Sequence, residues 1–104
     1  MKDIQLLKFT KYPVKGKKYS VQLLIDGKRK TINFGATGYS DFTKHKDNDR
    51  KKNYLARHKP GQNWTRTGVN TAGFWSRWIS WNKPTIESSL NDTLKRFRIK
   101  DSRK

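Results

Sequence analysis

Residues 71–84 read TAGFWSRWISWNKP, and this stretch decides the fold. It holds three of the chain's four tryptophans, Trp75, Trp78 and Trp81, together with Phe74 and Ile79. Phe74, Trp78 and Trp81 recur at intervals of four and three, and Trp75 and Ile79 lie four apart beside them. That spacing predicts one helix with all five side chains on a broad apolar side and Ser76, Arg77 and Ser80 on the other. Thr71 supplies an N-cap, and Pro84 ends the helix because the residue before a proline avoids helical dihedrals. Aromatic side chains bury more apolar area than any others, so this helix is the expected centre of the core. The other reading turns one or two of the tryptophans outward, to stack on bases or seat a partner.

Around that centre the chain is polar and strongly basic. Its 104 residues carry 25 Lys and Arg against 8 Asp and Glu, a net charge of +17, with only 32% hydrophobic residues but 12% aromatic. The length suits one domain with a modest core. So large a charge repels itself in the compact state, and a polyanion relieves that repulsion. Nucleic acid is the first such partner, then an anionic membrane surface or an acidic protein face. With no cysteine, neither disulfides nor thiolate metal sites hold the fold. Residues 1–10 are too short in their apolar run and too charged for a secretion signal. No apolar run reaches the length of a membrane span.

Upstream, residues 4–10 form a first expected strand, and residues 18–25 a second with Tyr19, Val21, Leu23 and Ile25 on one face. Asp26-Gly27 then favours a two-residue type I′ hairpin turn. Folding there sets Ile25 opposite Lys28, Leu23 opposite Lys30, Val21 opposite Ile32 and Tyr19 opposite Phe34. The tip, Lys28-Arg29-Lys30, serves either to keep an exposed strand from pairing with other chains or to contact phosphate. Residues 35–43 are turn-rich. Asp47 or Thr43 caps a basic helix ending near His58, whose thin apolar face (Tyr54, Leu55, Ala56) needs a larger element to dock on. Residues 62–70 form a polar loop around Trp64. Thr85 caps a last helix with Ile86, Leu90, Leu94 and Phe97 on one stripe. Residues 98–104 then read as a basic, flexible tail beyond a single domain spanning 1–97. The fold class is α+β: a basic antiparallel β-meander packed on a C-terminal half of about three short helices.

The search for catalytic groups points away from an enzyme. His45 and His58 lack a third ligand partner, and Asp47 and Asp49 open a basic helix, where cap and dipole roles account for them. Residues 35–38 lack the lysine and length of a phosphate-cradling loop. No cofactor is expected. The stronger signal is basic residues interleaved with aromatics, as in Trp64-Thr65-Arg66 and Arg96-Phe97-Arg98. The candidate nucleic-acid contacts are Lys28, Arg29, Lys30, Arg50, Lys51, Arg66, Lys95, Arg96, Arg98 and Lys100, with Trp64 as a stacking candidate.

The features Phe34-Gly35, Gly38-Tyr39-Ser40-Asp41, His45-Lys46-Asp47, Arg50-Lys51, Tyr54, Arg57-His58, Asn63-Trp64 and the block 71–85 carry a resemblance over roughly residues 18–90. Together they resemble a family of small, basic, uncharacterised proteins of large nucleocytoplasmic DNA viruses. The resemblance implies a viral protein, found in the virion or in the host cytoplasm at the viral factory and not secreted, and it assigns no catalytic residues. The expected function is non-enzymatic nucleic-acid binding, DNA rather than RNA. The alternative is a minor structural protein of the virion shell that meets capsid proteins, and a small nuclease is the third reading.

Overall fold

In the computed structural model, which describes residues 3–103, the chain opens with three antiparallel strands: β1 (Ile4–Lys11), β2 (Lys17–Ile25) and β3 (Lys28–Ala36). Met1, Lys2 and Lys104, at the ends of the expected domain and tail, lie outside the described residues. The β2–β3 register pairs Ile25 with Lys28, Leu23 with Lys30, Val21 with Ile32 and Tyr19 with Phe34, as the turn chemistry dictates. Asp26 and Gly27 both take positive φ, 48° and 84°, the type I′ signature that an Asp-Gly pair tolerates. Leu7 is an extra residue in β1, since Leu6 faces Leu23 while Lys8 already faces Gln22.

The C-terminal half is helical. A short α1 (Phe42–His45) is capped by Asp41, and α2 (Asn48–His58) by Asp47, whose side chain accepts from the amides of Asp49 and Arg50. Short α3 (Ala72–Trp75) starts at the Thr71 cap, and α4 (Ile86–Arg96) starts at the Thr85 cap. The architecture is therefore α+β, a meander packed on a helical half.

Two expectations need correction. First, the aromatic stretch is not one regular α-helix. After α3 it widens into a π turn over Ser76–Ser80, closed by Trp81 N–H donating to Ser76 O five residues back. The wider turn shifts the faces: Phe74, Trp75 and Ile79 are fully buried, but Trp78 and Trp81 are only half-buried. Ser80 and Arg77, expected on the solvent side, are buried and half-buried respectively. π turns of this kind recur at functional sites.

Second, residues 98–103 are part of the fold. Arg98 takes a left-handed conformation (φ 55°), turning the chain so that Ile99 enters the core at 4% exposure. Lys100–Asp101 then forms β4, parallel to β1, and Ser102 N–H donates to Leu6 O at 2.9 Å. Ile99 is the one aliphatic residue after Leu94, and pairing β4 to the open edge of β1 satisfies backbone groups that would otherwise face water. The sheet order is β3-β2-β1-β4.

Lys18, between Lys17 and Tyr19 at the start of β2, is buried and paired with buried Asp41 at 2.7 Å. The core itself runs as a series of rings, Phe9 to Tyr19 to Phe34 to Trp75, with centroids 5.9, 5.5 and 6.4 Å apart, so the meander and α3 share one apolar interior.

Candidate nucleic-acid interface

The two basic–aromatic triplets, thirty residues apart in sequence, meet in space. Trp64, Thr65 and Arg66 face Arg96, Phe97 and Arg98 across a groove of about 720 Å³, with Trp78 as its remaining wall. Local geometry explains the meeting. Arg66 sits on a single 3₁₀ turn (Arg66–Gly68) within the polar loop, and its Nε donates to Phe97 O at 2.8 Å. Trp78 Nε1 donates to Trp64 O at 2.9 Å, which fixes the other side of the loop to the π turn. Gly68 permits the tight fold-back: a Cβ there would lie 2.0 Å from Asn63 O.

Two arginines are ordered against the rings of the groove wall. The Arg77 guanidinium stands 4.2 Å from the Trp78 ring centre and 5.6 Å from that of Trp64, and Arg96 stands 4.8 Å from Trp78. Phe97 meets Trp78 edge-on at 5.1 Å. Trp78 is thus committed to its neighbours. The Trp64 side chain is held by a hydrogen bond from its Nε1 to Gln62 Oε1 at 2.7 Å and by Arg77 near its ring. Arg96 pairs with Asp92 at 3.3 Å. Burial works against the Asp92 carboxylate, but hydrogen bonds from Asn82 and Arg96 prevail and hold its pKa below the ordinary value. Burial, and then the charge of Arg96, lower the pKa of Arg77. Even so, a guanidinium starts so far above neutrality that it keeps its charge.

The other expected contacts distribute as follows. Lys28, Arg29 and Lys30 are exposed at the hairpin tip. Lys95 is exposed on the last turn of α4, Arg98 on the groove rim, and Lys100 on β4. The register sets Arg29, Leu24, Gln5 and Lys100 in one row across the sheet, so Arg29 and Lys100 stand at opposite edges, three strand spacings or about 14 Å apart. Two of the expected contacts are also bonded within the fold. Lys51 is not a surface cation: its Nζ donates to Asn82 O at 2.7 Å and lies 4.8 Å from the Phe42 ring, tying α2 to the segment before α4. Burial, then the charges of Arg77 and Lys83, lower its pKa. Arg66 is half-buried and clamps the loop to Phe97. Arg50 is exposed, but it lines a different cleft, beside α2.

Sequence reasoning missed Trp78 as a groove residue and Arg77 as the cation against its ring, because a regular helix would have sent Arg77 to solvent and Trp78 to the core. Asp41 caps α1 and pairs with Lys18, while Asp47 caps α2 and its N–H donates to His45 Nδ1 at 2.9 Å. Among the described residues, no group of three or more His, Asp or Glu side chains converges as a metal site would require, and no helix is long and apolar enough to cross a membrane.

No curated protein and no solved structure matches the chain. One family model does, over residues 7–58, from within β1 to the end of α2, so that it takes in most of the meander and part of the cleft beside α2 but not the groove. That match spans half of the sequence, and the chain belongs to this family, described as a family of unknown function (DUF5754).

Proposed function

We propose that the chain is a non-enzymatic nucleic-acid-binding protein that holds a strand along the groove between residues 64–66 and 96–98. The observation that carries this reading is the convergence of Trp64, Arg66, Arg96 and Arg98 on one concave surface in a chain of net charge +17. Arginine forks suit phosphate oxygens, and an aromatic face takes any base, which together make a sequence-tolerant site. Trp64 is the stacking platform, because Trp78 is already covered. Arg98 and Arg96 take phosphates, with phosphate displacing Asp92 from Arg96. Arg66 shapes the groove rather than gripping the strand. Lys95 and Lys100 flank it and extend the basic track, while the hairpin tip adds a second contact region on the far edge of the sheet. The engagement of Asp41 and Asp47 in caps supports a role without catalysis. The resemblance to basic proteins of large DNA viruses supports DNA, the viral genome, as the strand held.

The test is a salt titration of affinity for single-stranded and duplex DNA. Each phosphate neutralised contributes about −0.7 to the slope of log affinity against log salt on single strands and about −0.9 on duplex. Arg96→Glu with Arg98→Glu should lower the slope by about 1.5–2 and leave the fold intact, since both residues are exposed. Trp64→Ala should weaken single-strand binding by about 1–3 kcal/mol with no change in slope. A slope near zero, or binding to capsid protein that survives high salt while DNA binding is absent, would remove this reading in favour of the shell component.

A further inference from the structure

A second concavity, larger than the groove, lies between the far end of the β2–β3 hairpin, α2 and the π turn. Its volume is about 920 Å³, at the upper end of the roughly 300–1,000 Å³ usual for small-molecule sites. Three exposed cations line it, Lys17 from β2 and Arg50 and Arg57 from α2, and none has an ion-pair partner among the described residues. Arg50 and Arg57 are seven residues apart, two helical turns, so both project on the same side of α2, about 10 Å apart along its axis. Asn53 and Tyr54 lie between them. The one carboxylate in the lining, Asp41, is already neutralised by Lys18. The cleft is therefore positive, with nothing in its wall to repel an anion.

Its interior is built and rigid. Tyr54 is stacked between Trp81 (4.3 Å, interplanar 6°) and His58 (4.2 Å), which docks α2 on the aromatic stretch and covers both faces of the tyrosine ring. Phe34, Ala36, Ala56 and Ala72 add apolar wall. On the π turn, Ser80 lines the cleft at 2% exposure, and its Oγ has no hydrogen-bond partner among the described residues. A buried hydroxyl without a partner is costly, and a polar ligand atom removes that cost. Gln62 and Asn53 offer further amide groups. At the mouth, Tyr39 is 76% exposed, with no ring contact among the described residues, and follows Gly38 at φ 85°. An exposed ring over a cationic, hydroxyl-bearing cleft combines a stacking surface with an anion site.

We propose that this cleft binds a nucleoside phosphomonoester, its phosphate on the Arg50–Arg57–Lys17 side, its base against Tyr39 and a sugar or base polar atom on Ser80. A phosphomonoester carries nearly two charges at neutral pH where a diester carries one, which suits several unpaired cations around one cleft. The same chemistry occurs in a free nucleotide and at the phosphorylated end of a strand.

Isothermal titration of the full chain with a nucleoside 5′-monophosphate, inorganic phosphate and a 5′-phosphorylated dinucleotide tests the proposal, with the Ser80 and Asn53 amide signals followed by NMR. The monophosphate should bind saturably and shift both amides, at least about tenfold tighter than inorganic phosphate. Arg50→Glu and Arg57→Glu should each weaken it about tenfold or more. Ser80→Ala should weaken it about three- to tenfold with an unchanged or raised melting temperature, since it deletes an unpaired buried hydroxyl. Equal affinity for the dinucleotide would assign the site to strand ends, and its exclusion would assign the site to free nucleotides. Arg98→Glu, in the groove, should leave monophosphate binding untouched. The proposal is overturned if no saturable binding occurs at millimolar ligand, if inorganic phosphate binds as tightly, or if Arg98→Glu rather than Arg57→Glu abolishes the signal.

Discussion

Replacing Lys18 with Met should unfold much of this protein's margin of stability, and the buried pair with Asp41 gives the magnitude. Lys18 Nζ lies 2.7 Å from Asp41 Oδ2 and 2.7 Å from Tyr39 O, and both side chains are almost wholly enclosed. Asp41 also accepts from the Thr43 amide and hydroxyl, which anchors α1. The neighbouring Tyr19 hydroxyl, 3.5 Å from Asp41, has its pKa pushed up to about 12, first by burial and then by the Asp41 charge. Lys18→Met keeps the stem and removes the charge, leaving a carboxylate in a poorly solvated site. Breaking a buried pair from one side costs about 3–5 kcal/mol, against a total stability of roughly 5–15 kcal/mol for a domain of this kind. Asp41→Asn keeps an acceptor for Thr43 but strands the ammonium, at a similar cost. The double variant Lys18→Met, Asp41→Asn leaves no buried charge and should lose only about 1–2 kcal/mol, so the coupling energy should exceed about 2 kcal/mol. Urea unfolding followed by tryptophan fluorescence provides the four stabilities. If the single losses add to the double loss within about 0.5 kcal/mol, the pair is not coupled and the argument fails.

Gly68→Ala should destabilise severely, or displace the 62–70 loop and open the groove, because its Cβ would sit 2.0 Å from the Asn63 carbonyl oxygen; thermal melts and groove-residue NMR shifts would show it. Deleting residues 98–104 should cost at least about 2 kcal/mol, since it removes the buried Ile99 and the β4 pairing, and an unchanged melting temperature would mean that this segment is a tail after all. Lowering the pH should weaken the fold through His45. Its pKa is held below 6.5, mainly by burial and then by Arg50, and its Nδ1 accepts from Asp47 N–H, so the folded state favours the neutral ring. With the folded pKa depressed, the unfolded chain takes up the proton first. Stability is then full above pH 6.5 and declines as pH falls from there through the folded pKa. His45→Gln should flatten that decline in urea midpoints measured between neutrality and mildly acid pH.

The groove was half legible. Trp64-Thr65-Arg66 and Arg96-Phe97-Arg98 stood out as basic–aromatic triplets, but nothing in one dimension said that they face each other. Lys51 and Arg66 looked like free surface cations because a lysine or arginine reads the same whether it projects into water or donates to a distant carbonyl. Their partners, Asn82 O and Phe97 O, are each 31 residues away. The cleft beside α2 went unread for the same reason: its cations, its aromatic floor and Ser80 come from separate elements.

The sequence by itself determined what local chemistry controls. Asp26-Gly27 set the β2–β3 register to the residue, because a two-residue turn leaves one pairing that keeps Val21 and Ile32 on the buried face. Thr71 and Thr85 set where their helices begin, because each cap binds an amide three residues away, whereas the structure decided between Thr43 and Asp47 as the cap of α2. Tertiary structure decided whatever depends on a partner far along the chain. Packing of Trp75 and Ile79 into the meander, with the Trp81–Tyr54 stack beyond them, accompanies the π turn that brings Trp78 to the groove and Ser80 to the cleft. The buried Lys18–Asp41 pair spans 23 residues, and the Ser102–Gln5 hydrogen bond that fastens β4 spans 97. Such contacts form only once the chain has closed the intervening loop, and the loss of entropy in closing it is offset by burial that no short window of sequence contains.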